Sequence, residues 1–257
     1  KTRVINPQPI NHVAVKGELY NNGSNVNAPG AGPNGKDGSV LQSSLGLSSY
    51  GSGWAQVNGY SIADDVTISG ATWNIDSIKV FGYQTGSTLT STFTALYIRI
   101  WDGDPGAGGT VVWGDLTTNR LAATYFSGAY RYLDTDNPAG TTRPIMAVVA
   151  NTTGLSLNAG SYWIEFSSAG SLTSGPWMPA ITITGQTVTG NAKQFDGTSW
   201  VEILDGTSAQ GMPFVVFGNA GAQVGPGPAT NPTPANGAMG LSINGVAPTW
   251  TNPANVT

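Results

Sequence analysis

The stretch ALYIRIWDGDPGAGGTVVWG at residues 95–114 decides how the chain is read. Leu96, Ile98 and Ile100 alternate with Tyr97, Arg99 and Trp101, the period of two that a strand shows when one face is buried. Asp102-Gly103-Asp104-Pro105-Gly106 then supplies residues suited to a tight turn,. Thr110-Val111-Val112-Trp113 resumes as a second strand. The whole reads as the central hairpin of a β-sandwich.

Outward from this hairpin, strand signals recur steadily from Tyr60. They fall at residues 62–68, 73–83, 121–126 and 129–133, then at 161–166, 180–184, 191–195, 200–204 and 213–217. Residues 144–150 are continuously apolar, which suits a strand buried on both faces,. Short strands with closely spaced turn residues point to a sandwich or barrel, and no segment keeps a helical period. The expected fold is all-β, an antiparallel two-sheet β-sandwich of jelly-roll topology, with an extended N-terminal arm and a C-terminal tail. The expected divisions are an irregular arm at 1–59, the sandwich at 60–218, a Pro/Gly-rich linker at 219–236, and a strand-forming tail or the start of a next domain at 237–257.

Composition narrows the function. Only 9% of the 257 residues are charged, against about 25% in ordinary soluble domains. The surface is therefore built from Ser, Thr, Asn, Gln and Gly. Net charge is −4, and the ten Lys and Arg are scattered. No basic cluster exists to hold phosphates, so nucleic acid is not an expected partner. No apolar run reaches the ~18 residues of a membrane span. Cysteine is absent, which removes disulfides, thiolate metal sites and cysteine nucleophiles together. A domain of this size buries enough core without such staples. The expected location is extracellular or at the cell surface, after removal of a signal peptide.

Four segments resemble a known family in their order. They are Ile62-Ala63-Asp64-Asp65-Val66-Thr67, Trp73-Asn74-Ile75-Asp76-Ser77-Ile78, Tyr97-Ile98-Arg99-Ile100-Trp101-Asp102-Gly103, and Leu157-Asn158-Ala159-Gly160-Ser161-Tyr162-Trp163-Ile164. Together they resemble a jelly-roll module of large bacterial secreted and cell-surface proteins, over residues 50–218. The tail from Pro232 resembles the first strands of an immunoglobulin-like or fibronectin-like repeat. The resemblance implies architecture and a surface location. It carries over no activity and no catalytic residue.

The residues themselves argue against an enzyme. The only histidine is His12, in the arm, and no Gly-x-Ser-x-Gly elbow occurs,. Glycosidic cleavage needs two carboxylates on either side of one bond. The strand carboxylates Asp64, Asp65, Glu165 and Glu202 are the candidates. Asp64 and Asp65 are expected to satisfy backbone donors, and Glu165 to face solvent.

Other constellations are weaker. Asp102 and Asp104 place two carboxylates around Gly103, a candidate calcium site set against a plain turn; Asp134 and Asp136 repeat the pattern,. Neither matches a full calcium loop, and no other cofactor is expected. Trp177, Trp200 and Trp113 are the candidate glycan-binding rings, Trp177 standing between Pro176 and Pro179,. Met239, Leu241 and Ile243 alternate ahead of an Asn244-Gly245 turn, with Val246 and Trp250 on the return,. These residues and the N-terminal arm are candidates for head-to-tail self-association, which would not close and would build a filament. Asn22-Gly23-Ser24, Asn151-Thr152-Thr153 and Asn255-Val256-Thr257 match the asparagine-glycosylation pattern, and Asp76-Ser77-Ile78 a bacterial O-glycosylation pattern,. Two functions stand: a non-enzymatic structural or adhesive surface module, and a carbohydrate-binding module of a secreted multidomain protein.

Overall fold

A computed structural model describes residues 17–221, together with the backbone of residues 230–233 and 249–251. The chain forms two compact units, residues 1–221 and 222–257. In chain order the strands are β1 (Gly17–Asn21), β2 (Asp37–Leu41), β3 (Ser52–Gly53), β4 (Tyr60–Ile68), β5 (Trp73–Gly82) and β6 (Phe93–Trp101). Then follow β7 (Val111–Asp115), β8 (Leu121–Leu133), β9 (Pro144–Leu157), β10 (Gly160–Gly170), β11 (Trp177–Met178) and β12 (Lys193–Asp196). The first unit ends with β13 (Trp200–Glu202), β14 (Leu204–Asp205), β15 (Ser208–Ala209) and β16 (Phe214–Ala220). The second holds β17 (Thr230–Thr233) and β18 (Thr249–Thr251).

Two six-stranded sheets form the first unit, in the orders β1-β16-β5-β9-β8-β2 and β13-β12-β4-β10-β6-β7. Eight of these strands, taken in chain order, are β1, β4, β5, β6, β7, β9, β10 and β16. The first sheet holds the first, eighth, third and sixth of them as neighbours, and the second sheet holds the second, seventh, fourth and fifth. That is the strand order of a jelly roll. All of these neighbours pair antiparallel. The exception to an antiparallel fold lies outside the eight: β2 runs parallel to β8, with Asp37 opposite Ala129 and Leu41 opposite Leu133.

Alternation decides which side chains meet between the sheets. Leu96, Ile98 and Ile100 of β6, with Ile164 and Phe166 of β10, point inward from the second sheet and are fully buried. Ile78 and Val80 of β5, Met146 and Val148 of β9, and Phe214 and Val216 of β16 meet them from the first. The Phe166 and Phe214 rings lie 5.6 Å apart across the gap. The apolar run at 144–150 is buried on both sides, as its pattern requires. Met146, Val148 and Ala150 join the inter-sheet core, while Ile145 packs with Tyr83 and Ala129 in a second cluster that Val26, Tyr50 and Trp177 cover.

The described part of the expected arm is not an appendage. β1 is the first jelly-roll strand, paired to β16, and β2 closes the other edge of the same sheet. Neither is visible as a pattern. β1 is broken by a register shift between Glu18 and Tyr20. β2 begins Asp-Gly-Ser, and Gly38 is required there because a Cβ would overlap the Tyr132 hydroxyl. Residues 48–50 are then held by both their carbonyls and their amides. Buried Arg131 donates from Nε to the Tyr50 carbonyl at 3.0 Å and from Nη2 to the Ser49 carbonyl at 3.0 Å. Buried Asp205 accepts from the Ser48 and Ser49 amides, each at 2.8 Å. Loss of hydration lowers the Arg131 pKa to about 10,, so the guanidinium stays charged at neutral pH.

In the second unit, β18 pairs antiparallel with β17, which lies within the segment expected to be a linker. Met239, Leu241, Ile243 and Val246 lie outside the described residues, as does the Asn244-Gly245 turn; Trp250 sits in β18.

One inward position breaks the apolar rule. Asp64 follows Ile62 on the inner side of β4 and is 1% exposed. Its Oδ2 accepts from Asn22 Nδ2 and from the Met212 amide, both at 2.7 Å, and its Oδ1 from the Asp65 amide at 2.9 Å. It serves backbone donors, as expected. Burial raises its pKa to about 7, outweighing the donors that pull it down,. The folded pKa lies above the unfolded value of 3.8. Stability from the protonated carboxyl is therefore complete below about pH 4 and is lost as pH rises through about 7. Melts followed from about pH 4 to pH 7 should show the wild type losing stability relative to Asp64→Asn, by about 1.4 kcal/mol for each step of one in pH. In the apolar core, Ile98→Ala or Ile164→Ala should cost ~2–5 kcal/mol in denaturant titrations, from the cavity left behind.

Candidate functional site

The outer side of the second sheet gathers the residues that alternation turns away from the core. Arg99 and Trp101 on β6 stand beside Glu165 and Trp163 on β10, with Glu165 opposite Arg99 and Trp163 opposite Trp101. Across β4, Lys193 on β12 lies opposite Ala63, and Glu202 on β13 lies opposite Lys193. Trp200 on β13 lies opposite Phe195, their rings 5.6 Å apart. Five strands thus set one polar and aromatic face.

Glu165 anchors it. The expectation that this side chain faces solvent fails: it points outward yet is 0% exposed. Arg99 forks onto it, Nε to Oε2 at 2.7 Å and Nη2 to Oε1 at 2.9 Å. Trp101 Nε1 donates to Oε2 at 2.7 Å and Ser61 Oγ to Oε1 at 2.6 Å. Both carboxylate oxygens are occupied, and Arg99 lies over the Trp101 ring at 4.7 Å. Trp200 meets Trp101 edge to face at 6.3 Å. The Trp101, Trp200 and Phe195 rings are therefore fixed by a charge-assisted hydrogen bond or a neighbouring ring,.

Beside this platform lies a cavity of about 270 Å³ lined by Asp104, Trp163, Asn191, Ala192, Lys193, Glu202 and Ala209. Lys193 pairs with Asp104 and stands 5.7 Å from the centre of the Trp163 ring. That ion pair ties the loop after β6 to β12. Gly106 permits the approach: a Cβ there would come within 3.1 Å of Trp200 Cβ and 3.3 Å of Lys193 Nζ. Glu202 and Asn191 are exposed at the rim. The wall therefore offers one ring, one ammonium, two carboxylates and an amide within a small volume.

The predicted site residues are scattered by the fold. Trp200 belongs to this face. Trp113, opposite Ile100 on β7, packs against the inter-sheet core and carries the Arg120 guanidinium at 4.2 Å. Trp177 pairs with Gly53 on β3 and turns its ring onto the second apolar cluster, its Nε1 donating to Ser174 Oγ at 3.3 Å. The three rings form no common surface. Asp102 Oδ1 accepts from the Thr110 amide at 2.6 Å and Asp104 Oδ1 from the Gly106 amide at 2.8 Å, the geometry of turn acceptors, with Lys193 on the other Asp104 oxygen. Asp134 likewise holds the amides and hydroxyls of Ser43 and Ser44. Among the described residues no three His, Cys, Asp or Glu side chains converge to hold a metal. Of the strand carboxylates, Asp64 faces inward from β4 and Glu165 outward from β10, so they cannot flank one substrate bond. The residues missed by sequence reasoning are Trp163, Asn191, Lys193 and the anchoring role of Glu165. Alternation marks Trp163 and Glu165 as sharing a face, but nothing in the sequence brings Lys193 to Asp104.

No family model matches the chain, and no curated protein and no solved structure matches it either.

Removing one partner of a buried charged network leaves the others unpaired at a cost of about 3–5 kcal/mol. Glu165→Ala should cost this much in chemical denaturation, because Arg99 and the Trp101 indole N–H lose their acceptor. Arg99→Ala should show the same coupling in a double-mutant cycle with Glu165.

Proposed function

We propose that the chain is a non-enzymatic, extracellular adhesive module that contacts glycans through the outer side of its second sheet. The observation that carries this reading is the cavity beside Trp163, where Lys193, Asp104, Glu202 and Asn191 surround the part of the ring that stays exposed, 8% of the residue. A sugar ring presents C–H groups on its faces and hydroxyls around its rim. It is matched by an aromatic surface with mixed donors and acceptors at its edge. Side chains already fixed before binding lower the ordering cost of contact, and here the Lys193–Asp104 pair, with Lys193 over the Trp163 ring, holds two of the lining side chains in place. Glu165 itself is sealed, which suits a support better than a reacting group. The weakly charged, amide- and hydroxyl-rich surface and the lack of cysteine fit an extracellular setting. The carbohydrate-binding alternative is thereby absorbed: adhesion and glycan contact become one function.

Glu202 and Asn191 are exposed, so replacing them leaves the fold intact. Glu202→Ala and Asn191→Ala should each weaken binding to glycan-array hits by about tenfold, equivalent to about 1.4 kcal/mol, with unchanged melting temperature. An array without hits, or hits indifferent to both substitutions, would refute the proposal.

A further inference from the structure

The three asparagine-glycosylation patterns are equivalent as sequence, and the fold separates them. Asn255 lies outside the described residues. Asn22 is committed: Nδ2 donates to Asp64 Oδ2 at 2.7 Å and to the Met212 carbonyl at 2.9 Å, while Oδ1 accepts from the Tyr20 hydroxyl at 2.7 Å. Both amide hydrogens are used, one of them on a buried carboxylate. A sugar on Nδ2 would break one of these bonds and force a ring against the inter-sheet core.

Asn151 is placed the opposite way. It is exposed on β9, on the outer side of the first sheet, opposite Ser77 of β5. Its Oδ1 accepts from the Thr153 amide at 2.9 Å and the Thr153 hydroxyl at 2.7 Å. Its Nδ2 makes no hydrogen bond among the described residues. Two open cavities, of about 410 and 320 Å³, adjoin it, and both are lined by Asn151, Thr153 and Ala122. The first reaches the Phe217 ring and the second reaches Arg120. The pattern's hydroxyl is thus already on the amide oxygen, the nitrogen is free, and there is room on both sides for a sugar.

The geometry points to Asn151 as the acceptor of an asparagine-linked glycan, and to Asn22 as excluded by the fold. In the transfer, a bond forms between Nδ2 and the anomeric carbon of a phosphate-activated sugar. The anomeric C–O bond breaks, the carrier phosphate leaves with the electron pair, and the displaced amide proton passes to a base of the transferase. The attached glycan covers the outer side of the first sheet, away from the Trp163 cavity. The inference is therefore independent of the glycan-contact reading.

The test is secretion of the full chain from a eukaryotic host with an asparagine-linked transferase, followed by peptide mass mapping before and after enzymatic deglycosylation. The folded, secreted protein should carry a glycan at Asn151 and none at Asn22. Asn151→Gln and Thr153→Ala should remove it, and Thr153→Ser should retain it. Secreted, folded protein with unmodified Asn151, or with a glycan on Asn22, would overturn the inference.

Discussion

Buried acidic and basic side chains at the joints between distant segments are the constraint on which this sandwich depends. The apolar core supplies the bulk of the driving force, but burial is non-directional and does not choose which strand meets which. Four buried carboxyl or guanidinium side chains among the described residues make that choice. Asp64 joins β4 to the end of β1 and to Met212. Glu165 joins β10 to β6 and β4. Arg131 grips a short peptide by its carbonyls and Asp205 grips the same peptide by its amides, and so they join β8, residues 48–50 and β14. In a chain with only 9% charged residues, these positions stand out. Each demands a specific set of partners, because a buried polar group left unpaired is costly.

The same device orders the outer face of the second sheet. Glu165 lies beneath the outer face of the second sheet as a buried support, and through it a structural ion pair becomes a positioning element. Arg99 and Trp101 cannot move without leaving a buried carboxylate short of donors. The Lys193–Asp104 pair does the same for the loop after β6. The outer face of the second sheet is consequently rigid although two of its strands, β12 and β13, are only four and three residues long.

Much of the fold was legible because period-two patterns are local. Ile98, Ile100, Ile164 and the run at 144–150 all declared their burial. β1 and β2 did not, since both are short edge strands rich in small or polar residues, and their place is set by partners far along the chain. The site was less legible for a related reason. Alternation reports which side of a sheet a residue faces, not what covers that side. Glu165 reads as outward and is outward, yet neighbours from two other strands seal it. Trp113 and Trp177 look as free as Trp200 until register assigns one to the inter-sheet core and the other to the second cluster. Asp104 reads as half of a cation site, and its partner is a lysine 89 residues away.

The pairing of β1 with β16 also sets how the sandwich answers to pulling. The strands are antiparallel, with Gly17 opposite Gly218 and Asn21 opposite Val215. β1 therefore begins, and β16 ends, at the same end of one ladder. Tension that parts those two points loads the ladder one rung at a time, as in opening a zip, instead of shearing all rungs together. The edge strand β1 peels first, and the Asn22–Asp64 bond stands at the far end as the last catch. A module built this way lengthens under modest load by releasing one strand while its core remains closed.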